Sequence, residues 1–204
     1  MKTKKNDFVE IEFVGRVKET QEVFDTNIKK EAEKQGLKID VKPLVVCIGY
    51  GMVVKGFDKA LEGKEIGRKY KITLAPADAF GNRNKELIKV APRSVFKEKN
   101  INPVSGMILN LDGMLAKVIT SSGGRVVVDF NNLLAGKEIE YEFTIKRKIE
   151  DEKEKINSLQ DFFFRKRFDF ELKNKKIIFK SEDSSLPEIF KDRFKEILKK
   201  NIEI

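Results

Sequence analysis

From Phe8 to Val17 the chain alternates in polarity: Val9, Ile11 and Phe13 are apolar, while Glu10 and Glu12 between them are charged. A period of two sends successive side chains to opposite faces, so this stretch predicts a strand with one buried and one wet face. A second short strand follows at Glu22-Val23-Phe24. Residues 27 to 38 are charged and read as a helix or loop ended by Gly36. Residues 42 to 48 form an apolar run opened by Pro43, a buried strand, and Gly49 and Gly51 punctuate a turn after it. Phe57, Ala60 and Leu61 share one face of a short helix closed by Glu62-Gly63. Residues 70 to 74 alternate again and stop before Pro76.

The pattern changes between residues 82 and 129. Short apolar runs at 87–90, 95–96, 107–111, 114–119 and 125–128 are separated by turn residues, with a hairpin turn at Ser121-Ser122-Gly123-Gly124. This predicts a small β-rich subdomain. A strand at 140–146 then returns to the first style. Residues 150 to 155 predict a charged helical connector, 158 to 164 a further helical turn, and 168–172 with Lys176–Lys180 a hairpin. The last helix opens at Ser185 with Glu188 three residues on, a capping box, and its apolar stripe runs through Phe190, Phe194 and Leu198. Self-similarity at a fixed period is absent.

Composition narrows the chemistry. The chain has 204 residues, no His and a single cysteine, Cys47. Ser/His/Asp and Cys/His triads are therefore excluded, as is a zinc site of His and Cys. One cysteine cannot form an internal disulfide, which fits a reducing, cytoplasmic setting, and within Leu44-Val45-Val46-Cys47-Ile48 it reads as a packed core thiol. No run is long and apolar enough for a transmembrane helix, and the chain start carries no signal-peptide pattern. The net charge is +9. Residues 150 to 204 hold 14 basic and 13 acidic residues, so residues 1 to 149 carry +8 of it. Such a lobe admits a nucleic-acid or ribosome-binding role, yet Lys and Glu interleave throughout and no aromatics alternate with them, so a solvated mixed-charge surface is the better reading. Half of the 16 Phe residues fall in residues 150 to 204, more than so short a piece easily hides. Phe162-Phe163-Phe164 span about 200° of a helix, which predicts self-association through this domain to cover a leftover ring, the alternative being that the ring packs back on the first lobe. No metal site or cofactor motif is evident: Gly49-Tyr50-Gly51 is too short for a phosphate loop, and the acidic residues lack calcium-loop spacing.

The order of specific residues goes further. Phe24-Asp25, Lys42-Pro43-Leu44, Val53-Val54-Lys55-Gly56-Phe57, residues 63 to 72, Pro76-Ala77-Asp78-Ala79-Phe80-Gly81 and the strand at Tyr141 together resemble the FKBP-type peptidyl-prolyl isomerases. The interruption after Phe80-Gly81, with Val90-Ala91-Pro92-Arg93-Ser94-Val95-Phe96 and the return through Asn131-Asn132-Leu133-Leu134-Ala135-Gly136, resembles the insert-in-flap domain of SlyD-like members. The C-terminal extension and residues 27 to 42 are similar to the long archaeal FKBPs. The resemblance implies an α+β fold: an antiparallel half-barrel sheet wrapped on a short helix (residues 1–83 and 129–149), a β-rich insert (84–128) and a small α+β C-terminal domain (150–204).

The resemblance also implies a pocket with Phe57 as its floor. Its walls would be Phe13, Phe24, Leu44, Val53, Val54, Phe80, Leu134 and Tyr141, with Asp25 as the polar group at its rim. The chain has Phe57 where many members carry Trp, and Phe80 where they carry a Tyr credited with a hydrogen bond to the substrate carbonyl. Within the insert, Val90, Val95, Phe96, Met107, Ile108, Leu109 and Met114 are the candidates for holding unfolded chains; some of them must form its core, and those near Val95-Phe96 and Met107 to Leu109 are expected to form an exposed groove for extended segments. The implied activity is X–Pro isomerisation in unfolded or folding polypeptides, combined with chaperone action and needing no cofactor. A non-catalytic holdase and, behind it, a basic ribosome- or RNA-associated module are the alternatives.

Overall fold

The computed structural model describes residues 2–37, 41–173, 176–180 and 188–203. The expected capping box at Ser185 lies outside them. Two compact units emerge, one of residues 1–74 with 139–204 and one of residues 75–138.

The first unit is built on an antiparallel sheet. Its strands are β1 (Phe8–Val17), β2 (Val23–Thr26), β3 (Leu44–Cys47), β4 (Lys69–Leu74) and β9 (Ile139–Lys148). Their order is β2-β1-β9-β4, with β3 also paired to β1. The alternation predicted for β1 holds: Phe8, Val9, Ile11 and Phe13 are buried and Glu10 and Glu12 face outward. The outer face is a mesh of ion pairs, Arg147 with Glu10, Lys146 with Glu12, Lys69 with Glu142 and Lys71 with Glu140. The inner face carries Phe13, Ile139, Tyr141, Phe143 and Ile145, and the helix α2 (Lys55–Leu61) lays Phe57 on it.

Along one edge of β1 the partner changes. β2 pairs as far as Val14↔Thr26, and β3 takes over at Ile11↔Leu44. In the gap the Asn27 carboxamide stands in for a strand: its oxygen accepts from Phe13 N–H at 2.8 Å and its NH2 donates to the Ile11 carbonyl at 2.7 Å. The chain after Asn27 can then leave the sheet, carrying the short helix α1 (Lys29–Lys34), whose Glu31 pairs with Arg16 at 3.5 Å. Gly36, at φ +64°, ends the excursion's helix as its position suggested.

Residues 150 to 204 belong to this same unit. The two predicted helical pieces are one helix, α4 (Glu152–Phe163), capped by Asp151 accepting from Glu154 N–H. Ser158 sits inside it without breaking it, because its hydroxyl bonds back to the Lys155 carbonyl at 2.8 Å. The hairpin β10 (Asp169–Lys173) and β11 (Lys176–Lys180) forms as expected. After the helix α5 (Glu188–Leu198) a three-residue strand, β12 (Asn201–Glu203), adds parallel to β11, which the sequence reading did not foresee. The Phe rings are met within the chain. Phe163 and Phe164 both pack on Phe190 and Phe194, and Phe162 sets its edge on Phe163. The fully buried Gln160 ties α4 to the hairpin, its carboxamide exchanging bonds with Phe168 N–H (2.7 Å) and C=O (3.3 Å).

The second unit is a four-stranded antiparallel sheet in the order β5-β8-β7-β6: β5 (Ile88–Pro92), β6 (Ile108–Leu111), β7 (Met114–Ser122) and β8 (Arg125–Asp129). Val95-Phe96, read as an apolar run among strands, lies instead in a helix, α3 (Arg93–Glu98), which follows Pro92 and drops Phe96 into the core with Ala116, Val118, Val126 and Val128. At the neck the incoming and outgoing segments are laced together. Arg83 bonds Asp129 at 2.8 Å, and Asn131 accepts from Asn84 N–H and donates to Asn84 C=O, at 2.8 and 2.9 Å.

Candidate functional site

The inner face of the first sheet holds a cluster of aromatic rings. Phe57 stacks on Tyr141 at 4.4 Å between centroids and meets Phe143 and Phe13 edge-on at 5.0 and 5.8 Å. Register explains the grouping. Asp25, Gly15, Tyr141 and Ile72 lie in one row across β2, β1, β9 and β4, and Phe13 and Phe143 are paired in the next.

Two local features shape that row. β1 and β2 slip register between Gly15 and Arg16, whose partners are Asp25 and Val23, so Phe24 is the extra residue of a bulge. A bulge turns neighbouring side chains of one strand toward the same side, which is how Phe24 and Asp25 both come to the row. Gly15 supplies the space. A Cβ there would lie 2.7 Å from Phe24 Cζ and 2.9 Å from Tyr141 Cε1, so both rings lean into the room that a side chain would fill. Phe24 and Tyr141 accordingly meet edge-on at 5.9 Å.

The floor ring is placed by a third feature. Asp58, next to Phe57 and buried, accepts from the backbone N–H groups of Gly49 and Gly51, both at 2.8 Å. Those glycines have φ of +90° and +68°, a region where a side chain is strained. The clamp folds the loop before α2 tightly enough to bring Val53 and Val54, both half-buried, to the start of the helix that carries Phe57. Leu44, half-buried, opens β3 opposite Ile11.

Electrostatics differ sharply within a few residues. Burial raises the Asp25 pKa above the ordinary 3.8, against a smaller opposing effect of the Thr26 N–H. Burial also raises that of Tyr141, and the Asp25 charge adds to it, so the phenol stays protonated. Cys47 is fully buried, with its thiol pushed up to about 12 by burial first and by the Asp58 and Asp7 charges, as suits the inert core thiol expected of it. Among the described residues no group of three or more Cys, Asp or Glu side chains is arranged to hold a metal ion.

The structure thus brings Phe13, Phe24, Asp25, Phe57 and Tyr141 together, with Val53, Val54 and Leu44 on the adjoining segments. Phe80 and Leu134 belong to the second unit. There a bond from Gly136 N–H to the Gly81 carbonyl (2.9 Å) joins their two segments, and both are half-buried.

The insert candidates divide. Phe96 is buried and Met107 and Leu109 pack against the core cluster. Val90, Val95, Ile108 and Met114 are exposed, at 62%, 44%, 51% and 58%. Pairing puts Val90, Val127, Ile108 and Leu115 on the sheet face away from that cluster, and Leu115, at 60% exposed, is an addition to the expected set. Sequence reasoning also missed Gly15, Asn27 and Asp58. A glycine inside a clean strand alternation was a usable signal for the first; the two polar side chains act on backbone far along the chain, and nothing local marks them.

Residues 1–97 match the family model described as FKBP-type peptidyl-prolyl cis-trans isomerase, and residues 89–134 match the model described as FKBP26, IF domain. The chain is 32% identical over 146 residues to a short-type peptidyl-prolyl cis-trans isomerase of Methanocaldococcus jannaschii, covering 70% of this chain and 90% of that one. It is 36% identical over 104 residues to the FKBP-type isomerase SlyD of Haemophilus influenzae, covering 49% of this chain and 54% of the relative. With SlyD of Helicobacter pylori it shares 30% over 139 residues, 66% of this chain and 69% of the relative. The match thus spans about half the length of the Haemophilus protein.

Proposed function

The chain belongs to the FKBP-type peptidyl-prolyl cis-trans isomerases, and from that membership we propose that it accelerates X–Pro rotation in unfolded or folding polypeptides on the aromatic inner face around Phe57. The observation that carries this reading is the stack of Phe57 on Tyr141, walled by Phe13, Phe24 and Phe143. The reaction needs no acid, base or nucleophile. Amide resonance sets a barrier of about 18–20 kcal/mol. Resonance also separates charge over N, C and O. An apolar surface that strips water from the bond stabilises the planar, charge-separated form less well than water does, and the twisted form loses less on entry. A barrier lowered by about 4 kcal/mol gives roughly a thousandfold acceleration. Phe57→Ala tests the reading. It should cost about 3–5 kcal/mol of stability and abolish turnover of a short proline peptide. A folded Phe57→Ala protein with full turnover would remove this face from the reaction.

A second activity has its own support. The outward sheet face of the insert exposes Val90, Ile108 and Leu115, a surface suited to extended apolar segments. We propose that it holds unfolded chains as a chaperone surface. Replacing Val90, Ile108 and Leu115 by Ser should reduce suppression of aggregation of an unfolded protein and leave proline-peptide turnover intact. Equal loss of both would argue against a separate holding role.

A further inference from the structure

Tyr141 is 4% exposed as a residue, and its hydroxyl makes no hydrogen bond among the described residues, yet its oxygen is not one of the fully enclosed unpartnered atoms, so it keeps an opening to the site. A phenol donor with an opening beside it and no acceptor within the protein is free to serve a bound chain. The surrounding rings of Phe13, Phe24 and Phe57 offer no acceptor. The one nearby anion, Asp25, raises the phenol's pKa through its charge, which keeps the proton on the oxygen, but no hydrogen bond joins the two. The free space over Gly15 lets the Tyr141 ring lean along the row toward Asp25 at the exposed edge of the site.

We propose that the Tyr141 hydroxyl is the donor that anchors the substrate, giving its hydrogen bond to a backbone carbonyl flanking the rotating X–Pro bond. This rests on the isomerase reading above. The rotating carbonyl itself is the wrong acceptor. A donor on that oxygen strengthens amide resonance and would raise the barrier. A carbonyl outside the rotating bond keeps its charge during the twist. The bond to it is therefore equally strong in the ground and transition states, and such uniform binding lowers KM without changing kcat.

Tyr141→Phe removes only the hydroxyl. With a short proline peptide, KM should rise about 2- to 10-fold, the range of one net hydrogen bond, while kcat holds. The melting temperature should stay level or rise, because the lost hydroxyl had no protein partner. An unchanged KM overturns the inference. So does a melting temperature lower by several degrees, which would mean that the hydroxyl serves the fold, and so does a change in kcat at constant KM, a rise placing the hydroxyl on the rotating carbonyl and a fall placing it on the rotating nitrogen. Absence of turnover in the unaltered chain would instead sink the isomerase reading, and this inference with it.

Discussion

Gly15 does more than its size suggests. Because the Phe24 and Tyr141 rings occupy its side-chain space, Gly15→Ala has to push both outward. Overpacking of this kind costs about 1–3 kcal/mol. The expected outcome is a folded protein with a lower melting temperature and a raised KM for proline peptides, read by calorimetry and a turnover assay. Asp25 answers to pH. Its folded pKa is raised, so the stability that it contributes is fully present below the unfolded value near 3.8 and is lost as pH rises through the folded value. Asp25→Asn should therefore melt higher than the unaltered chain at pH 7, with the difference shrinking as pH falls through the raised folded value and gone below about 3.8. A difference of the same size at pH 3 and pH 7 would show that charge is not the cause. Of these residues the apolar ones were legible from motif order in the chain. Asp58 and Asn27 were not, because what they do depends on partners that only folding brings near, and Gly15 showed only as a glycine interrupting a strand alternation.

Elements read from alternation survived best. β1, β4 and β9 have one wet and one dry face, and that leaves a period of two in the sequence. α3 did not show itself, since two apolar residues cannot distinguish a six-residue helix from a strand, and β12 is too short to carry any period. α4 was expected as two helical pieces, 150–155 and 158–164, and runs through as one, the Ser158 hydroxyl bonding to the Lys155 carbonyl of its own preceding turn. The neck of the insert also makes an element-scale prediction. Burial alone would raise the Asp129 pKa, but hydrogen bonds from the Asn131 backbone and side chain and from Arg83 outweigh it and lower the value. Its contribution is present above the usual carboxylate range and is lost as pH falls through the lowered folded value. Asp129→Ala removes those charge-assisted bonds at a cost of about 1.5–3 kcal/mol. Hydrogen exchange should quicken at the Asn84 and Asn131 amides, with that of β1 unchanged. Unaltered exchange there would mean that the ion pair does not hold the neck.

An inserted sheet joins the rest of the chain through that neck, and the neck says where to cut. A deletion of residues 84–128, drawn from sequence alone, would take Asn84 with it. Removing residues 88–127 instead spares Arg83, Asn84, Asp129 and Asn131. The shortened chain should turn over a short peptide at nearly the full rate and act more slowly on a refolding protein whose slow phase is a proline bond. Equal slowing on both would show that the insert serves the reaction itself. Three adjacent Phe residues cannot share one helix face; α5 lies across two of the three, and the third, half-buried, rests its edge on its neighbour, so light scattering on the full chain is what decides whether a second copy also covers them. What periodicity could not convey was that a helix outside the run would come back to meet it. The three added segments are fastened by one chemical device: Asn27 at the α1 excursion, Asn131 at the insert and Gln160 at the C-terminal hairpin each offer a carboxamide to both polar groups of a backbone stretch. A carboxamide carries the same donor and acceptor as a peptide unit but hangs from a single side chain, so whatever follows it can lengthen, shorten or be exchanged while the seam stays shut. Such seams are natural grafting points, where a foreign recognition loop could be spliced in with the parent sheet left as it is.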